Sequence, residues 1–153
     1  MMSYSDEMNR VLARPDAEKL IRQVEQYANW NIEVGVGEWP EADSDDFSEI
    51  LMALFHDPSG DTTLAYVVIA VDRVDDADFL RLMGCSLLEE VLYRPTDQML
   101  ERIEAEARKS ARFRWLLSCP FKRAVSEQAW NAIAKFRITG PHEEPGLDTF
   151  PKR

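Results

Sequence analysis

Apolar residues recur along most of this chain at the three- and four-residue spacing of an α-helix. Between positions 15 and 30, Leu20, Ile21, Val24, Tyr27 and Ala28 fall on one helical stripe. Pro15 suits its first turn, and Asp16 and Glu18 favour the positive end of its dipole. A shorter helix precedes it at 6–13. Phe47, Ile50, Leu51, Leu54 and Phe55 repeat the stripe, with Ser44 as N-cap and Asp45 and Asp46 in the first turn. His56-Asp57-Pro58-Ser59-Gly60 ends that helix. Asp75, Asp76 and Asp78 open another, carrying Phe79, Leu80 and Met83 and continued by Leu87, Leu88, Val91 and Leu92. Gly84, in its middle, either breaks it or lets a second helix come close. Thr96 caps a charged helix with Met99, Leu100, Ile103 and Ala107 inward. Glu101, Arg102, Glu104, Glu106, Arg108 and Lys109 form its wet face. Phe113, Trp115, Leu116 and Leu117 add a further turn or two before Cys119-Pro120. Ser126 caps a last helix bearing Trp130, Ile133, Ala134 and Phe136.

Two stretches read less simply. Residues 31–43, NIEVGVGEWPEAD, have the glycines, proline and acids of a loop, and their alternating isoleucine and valines leave room for a short strand at 31–37. Residues 62–71, TTLAYVVIAV, have strand propensity, but a buried helix of this length looks the same. A lone strand would leave its backbone groups without partners, so the reading is a buried helix. The architecture expected is all-α, with six to eight short antiparallel helices stacked in pairs in the manner of HEAT repeats. Helices this short and this many do not suit a four-helix bundle. No repeat signature accompanies them: Pro58 to Pro95 is 37 residues, and Pro95 to Pro120 is 25. Residues 1–138 form one helical domain in this reading. Residues 139–153, with three prolines and two glycines, form a coil tail.

Composition narrows the class. The chain has 153 residues, enough for one core, with 45% hydrophobic and 30% charged residues. Its net charge of −10 argues against nucleic acid or an anionic membrane as the main partner. The longest apolar run, 64–71, is far short of the roughly 20 residues that span a bilayer. The N-terminal stretch lacks the apolar core of a secretory signal, so a cytoplasmic protein is expected. Cys85 and Cys119 stand 34 positions apart with no CxxC pairing and read as reduced core thiols. With two histidines and no Cys/His spacing, no metal site is expected. GVGEWP lacks the Lys-Ser/Thr that completes a phosphate loop, and no nucleophile–base motif occurs, so neither a cofactor nor an enzyme is expected.

The segment 75–136 carries "GCSLLEEVL", "ERIEAEARKSARFRWLL" and "SEQAWNAI". In these it resembles a family of small bacterial helical domains of unknown function. Members of that family show a GPLEDLL-like helix, a long helix ending in DPRFRRLL and a closing helix with VW. The matching residues are Gly84, Leu87–Glu89, Leu92, Glu101–Ile103, Ala105, Ala107, Arg112–Arg114, Leu116, Leu117 and Trp130. The resemblance implies a helical fold and carries over no site residue.

Charge is unevenly distributed. Between Glu33 and Asp78 stand thirteen acids and one base, Arg73, whereas residues 81–153 carry thirteen bases and ten acids. The acidic segment reads either as a solvated face with dipole-favoured first turns or as a binding surface for a basic protein. The residues of such a surface are Glu38, Glu41, Asp43, Asp45, Asp46, Glu49, Asp72, Asp75, Asp76 and Asp78. Trp39 serves as its aromatic anchor. The function expected is a small acidic inhibitor, most concretely a cytoplasmic bacterial immunity or antitoxin-like protein that neutralises a basic toxin. The alternative is a helical scaffold or adaptor.

Overall fold

The computed structural model describes residues 5–34, 54 and 57–152. Every regular element among them is helical, so the fold is all-α. The helices are α1 (Asp6–Leu12), α2 (Ala17–Val34), α3 (Asp61–Arg73), α4 (Ala77–Met83), α5 (Glu89–Val91), α6 (Asp97–Lys109), α7 (Ala111–Leu117) and α8 (Glu127–Ile133). A π-helical turn, Gly84–Leu88, joins α4 to α5. The helix read at 44–55 lies outside the described residues except for Leu54, which is buried.

Helix α3 is the stretch that read as either helix or strand. Thr63 to Val71 are all buried, and α1, α2, α4, the π turn and α7 pack around it. A helix that is apolar on every side belongs in the interior. Its valines and isoleucine have modest helix propensity, and burial outweighs that deficit. The start is built by side chains. Gly60 adopts φ 76°, and the Asp57 carboxylate accepts from the backbone N–H of Thr62 at 2.9 Å and of Ser59 at 3.3 Å. Thr63 Oγ1 donates to the Leu54 carbonyl at 2.5 Å.

The short strand read at 31–37 is corrected for its first four residues: α2 runs on through Val34. The reason is that its buried stripe continues. Asn31 follows Tyr27 by one turn, is itself buried, and donates from Nδ2 to the Tyr27 carbonyl at 2.9 Å. Residues 35–37 lie outside the described residues. Thr96 and Ser126 cap their helices as read, Asp76 proves to be the cap among the acids that open α4, and Ser44 lies outside the described residues. Asp76, Thr96 and Ser126 accept from the N–H groups of Phe79, Met99 and Ala129 and so cap α4, α6 and α8.

From Phe79 to Leu92 the buried residues come in adjacent pairs, 79–80, 83–84, 87–88 and 91–92, repeating every four positions. An α-helix repeats every 3.6 residues and a π-helix at a longer interval, so the π turn keeps these pairs on one face. Gly84 lies where that face meets the end of α7. A Cβ there would stand 2.8 Å from the Cys119 Cβ and 2.9 Å from the Leu116 carbonyl oxygen, so this glycine permits a close approach.

The tail is tied to the body. The Phe150 ring meets Trp115 edge-on at 5.0 Å, and Trp115 Nε1 donates to Thr149 Oγ1 at 3.0 Å. Arg137 donates to the Leu117 carbonyl at 2.9 Å and to the Gly140 carbonyl at 2.6 Å. No helix among the described residues is long and apolar enough to cross a membrane.

Two substitutions probe this packing. Gly84→Ala forces a methyl group against backbone and should cost about 1–3 kcal/mol, read as a lower denaturant midpoint. The Tyr66 hydroxyl is fully buried without a hydrogen-bond partner among the described residues. Tyr66→Phe removes that unsatisfied group and should leave the thermal midpoint unchanged or raise it by up to about 1 kcal/mol equivalent. A clear loss of stability in Tyr66→Phe would show that the hydroxyl is satisfied after all.

Candidate functional site

Of the predicted surface, Glu38, Trp39, Glu41, Asp43, Asp45, Asp46 and Glu49 lie outside the described residues. Asp72, Asp75, Asp76 and Asp78 lie together, from the last turn of α3 to the first turn of α4. Each has a partner within the chain. Asp72 pairs with Arg73 at 3.1 Å and Asp78 with Arg81 at 3.5 Å. Asp75 pairs with Arg112 at 2.6 Å, and Asp76 is the α4 cap.

Arg112 does more than neutralise Asp75. Its guanidinium donates to the carbonyls of Val74 at 3.3 Å and Pro151 at 3.0 Å and lies over the Phe150 ring at 4.5 Å. One α7 side chain thus fastens the α3–α4 connection and the tail to the same point. It stands in the RFR motif on which the family resemblance rests.

The other end of α3 has a similar arrangement that the sequence reading missed. Arg102, on α6, forks onto the Glu7 carboxylate at 2.8 and 3.1 Å and reaches Asp61 at 2.5 Å. Glu7 is buried, and Arg10 also approaches it at 3.2 Å. Arg14 forks onto Asp16 at 2.9 and 3.2 Å and donates to Thr62 at 3.1 Å. These pairs raise the already high basicity of Arg102 and Arg14, chiefly through the hydrogen bonds to Glu7 and Asp16. The Arg14 contact likewise holds Asp16 below the usual carboxylate range.

A cleft of about 570 Å³ opens between α1, α6 and the start of α3. Five carboxylates and three cations line it, and all three cations are paired: Arg102 and Arg10 with Glu7, Lys109 with Asp6 at 3.0 Å. Glu106, assigned above to the wet face of its helix, is instead 5% exposed in this wall. Its place follows from the stripe itself, because it stands three residues beyond Ile103 and seven beyond Met99. Burial pushes its carboxyl up, the Ser5 hydroxyl opposes that shift, and the neighbouring Glu7 adds to it. The cleft therefore presents carboxylate charge that its own cations only partly offset, together with one reluctant acid. Among the described residues, no group of three or more metal-ligating side chains is placed to hold an ion.

An all-helical domain with charge-paired ends and an acidic segment is the class this geometry defines. The chain belongs to a family of unknown function, DUF6869, whose model matches residues 38–140. That span extends the resemblance read at 75–136 to the acidic segment. Neither a curated protein nor a solved structure matches the chain.

Glu106 makes a pH test possible. A carboxyl raised in the folded chain binds its proton more tightly there than in the unfolded chain. Its cost is absent below the ordinary carboxylate value and grows as pH rises through that value toward the folded one. Glu106→Gln should therefore stabilise the protein near about pH 7 and match wild type near about pH 4. Urea midpoints at the two pH values check this, and an equal difference at both would refute it.

Proposed function

We propose that this protein is a non-catalytic binding protein whose acidic segment, residues 38–49, receives a basic protein partner. In its most concrete form it is an immunity or antitoxin-like inhibitor that covers the cationic cleft of a toxin. What supports the reading is the density of negative charge in one short stretch of the sequence. Asp57 and Asp76 cap helices, while Asp61, Asp72, Asp75 and Asp78 face arginines. The stretch 38–49 carries six acids, no base and Trp39. A protein that binds a polyanion presents a basic cleft, and a dense run of carboxylates competes for it. Such a run also speeds capture through long-range attraction, whereas an aromatic at the centre of the contact slows release.

The test begins by identifying what co-purifies stoichiometrically with the protein from native lysate at low salt. A cationic protein carrying a toxin domain is the expected result, and a multiprotein assembly would favour the adaptor. Replacing Glu38, Glu41, Asp43, Asp45 and Asp46 by Asn or Gln should then slow association by about tenfold or more at low salt. The difference should fade as the Debye length falls to about 8 Å near physiological ionic strength. Trp39→Ala should release faster at every salt concentration, with a loss of about 2 kcal/mol. If both variants remain folded and bind like wild type, the acidic segment is only a solvated surface.

A further inference from the structure

The two cysteines, 34 positions apart in sequence, meet in space. Cys85 sits on the π turn, half-buried at the edge of an open depression of about 430 Å³ that Tyr93 and Ala124 also line. Cys119 is fully buried just beyond α7. Cys85 Sγ reaches the Cys119 carbonyl oxygen at 3.7 Å, and the Cys119 thiol donates to the Trp115 carbonyl at 3.8 Å. Gly84 makes this meeting possible, because its missing Cβ leaves room for the Cys119 side chain. The tail supplies a third group: the Cys85 thiol donates to Glu144 Oε1 at 3.3 Å, and Arg81 lies 3.8 Å from the same carboxylate. One accessible thiol, one enclosed thiol and a carboxylate aimed at the accessible one form a cluster with no part in the binding reading above.

We propose that Cys85 and Cys119 are a peroxide-oxidised pair, with Cys85 the sulfur attacked first and Cys119 the sulfur that closes the disulfide. Glu144 takes the Cys85 proton as the sulfur attacks one oxygen of a hydroperoxide. The O–O bond breaks, and the departing oxygen leaves as hydroxide, or alkoxide, and collects that proton. Cys85 is then a sulfenic acid. The Cys119 sulfur displaces its hydroxyl, an S–S bond forms, and the Cys119 proton leaves with that hydroxyl as water. Two thiols lose two electrons and two protons, and one peroxide is reduced. The order of events follows from access. Solvent reaches Cys85 through the depression, while Cys119 is enclosed; the neighbouring Cys85 and its own burial also keep it protonated far above the ordinary thiol range. The product would tie the π turn to the end of α7 and remove the thiol that Glu144 now holds.

The experiment treats the full chain with hydrogen peroxide, under conditions where its circular dichroism is unchanged, and maps the peptides. The expected product is a monomer two hydrogens lighter, with no free thiol and a Cys85–Cys119 linked peptide. In Cys119→Ala, Cys85 should stop at the sulfenic acid and be trapped by dimedone. In Cys85→Ser, which changes the more exposed position, Cys119 should stay reduced. Glu144→Gln should slow disulfide formation by about tenfold or more. Should Cys119→Ala fail to fold, the wild-type map and the Cys85→Ser variant still decide. Two free thiols after treatment, overoxidised Cys85 without a cross-link, or a disulfide only between chains would each overturn the proposal.

Discussion

The burial of α3 on all sides is the constraint on which the rest depends. Nine consecutive residues of that helix face protein, so no flank of it can meet water. A helix in that position satisfies its backbone internally along its length but not at its ends. Asp57 meets this need at the start by accepting from the Thr62 N–H, and other polar groups gather at both ends. At the start stand Asp57, Gly60, Arg14 and the Glu7–Arg102–Asp61 chain. At the finish, Arg112 holds the Val74 carbonyl and Asp75. Arg102 and Arg112 come from α6 and α7, so contacts at the ends of α3 also fix where the later helices dock. A half-buried pair such as Glu7–Arg102 adds little net stability over an apolar replacement, but losing the arginine leaves the buried Glu7 stranded. Its effect is to specify which helix lies against which.

Charge acquires a different meaning in this light. Along the sequence the acids of 33–78 read as a solvated face or a binding surface, set apart from the bases of 81–153. In the fold, Arg81, Arg102 and Arg112 from the second group sit on Asp78, Asp61 and Asp75 from the first. Part of the apparent asymmetry is therefore complementarity inside the fold, between distant helices at Asp61–Arg102 and Asp75–Arg112 and within α4 at Asp78–Arg81. Asp61, Asp72, Asp75 and Asp78 thus carry less of the electrostatic argument for a partner than their sequence positions suggest.

What was legible in the sequence was whatever is local. Stripes at 20–28 and 99–107, the caps Thr96 and Ser126, the acids that open α4, and the solidly apolar 62–71 all depend on neighbours within a turn or two, and they gave the all-α fold. The end of α2 was misplaced because the glycines, proline and acids of 31–43 read as a loop, whereas the buried Asn31 continues the helical stripe. Glu106 was misplaced because its chemical type was weighed above its position. The Arg102–Glu7 pair spans 95 positions and the Cys85–Cys119 contact 34, and neither has any signature within a window of sequence. Nor did composition hint that Arg112 holds a tail residue by its backbone carbonyl.

The four-residue rhythm of buried pairs between Phe79 and Leu92 bears on how relatives of this chain should be aligned. In an uninterrupted α-helix, a side chain four positions on is rotated by about 40° beyond a full turn. Three such steps would carry the last pair well away from the first. The π turn absorbs that drift. A relative with one residue fewer in this stretch would form a straight α-helix whose inward positions fall at three- and four-residue intervals. Its alignment to this chain would then require a single gap inside a continuous helix, at 84–88. A gap placed there would mark the loss of a turn geometry, and with it the glycine that lets α7 come close, while the helices on either side kept their places.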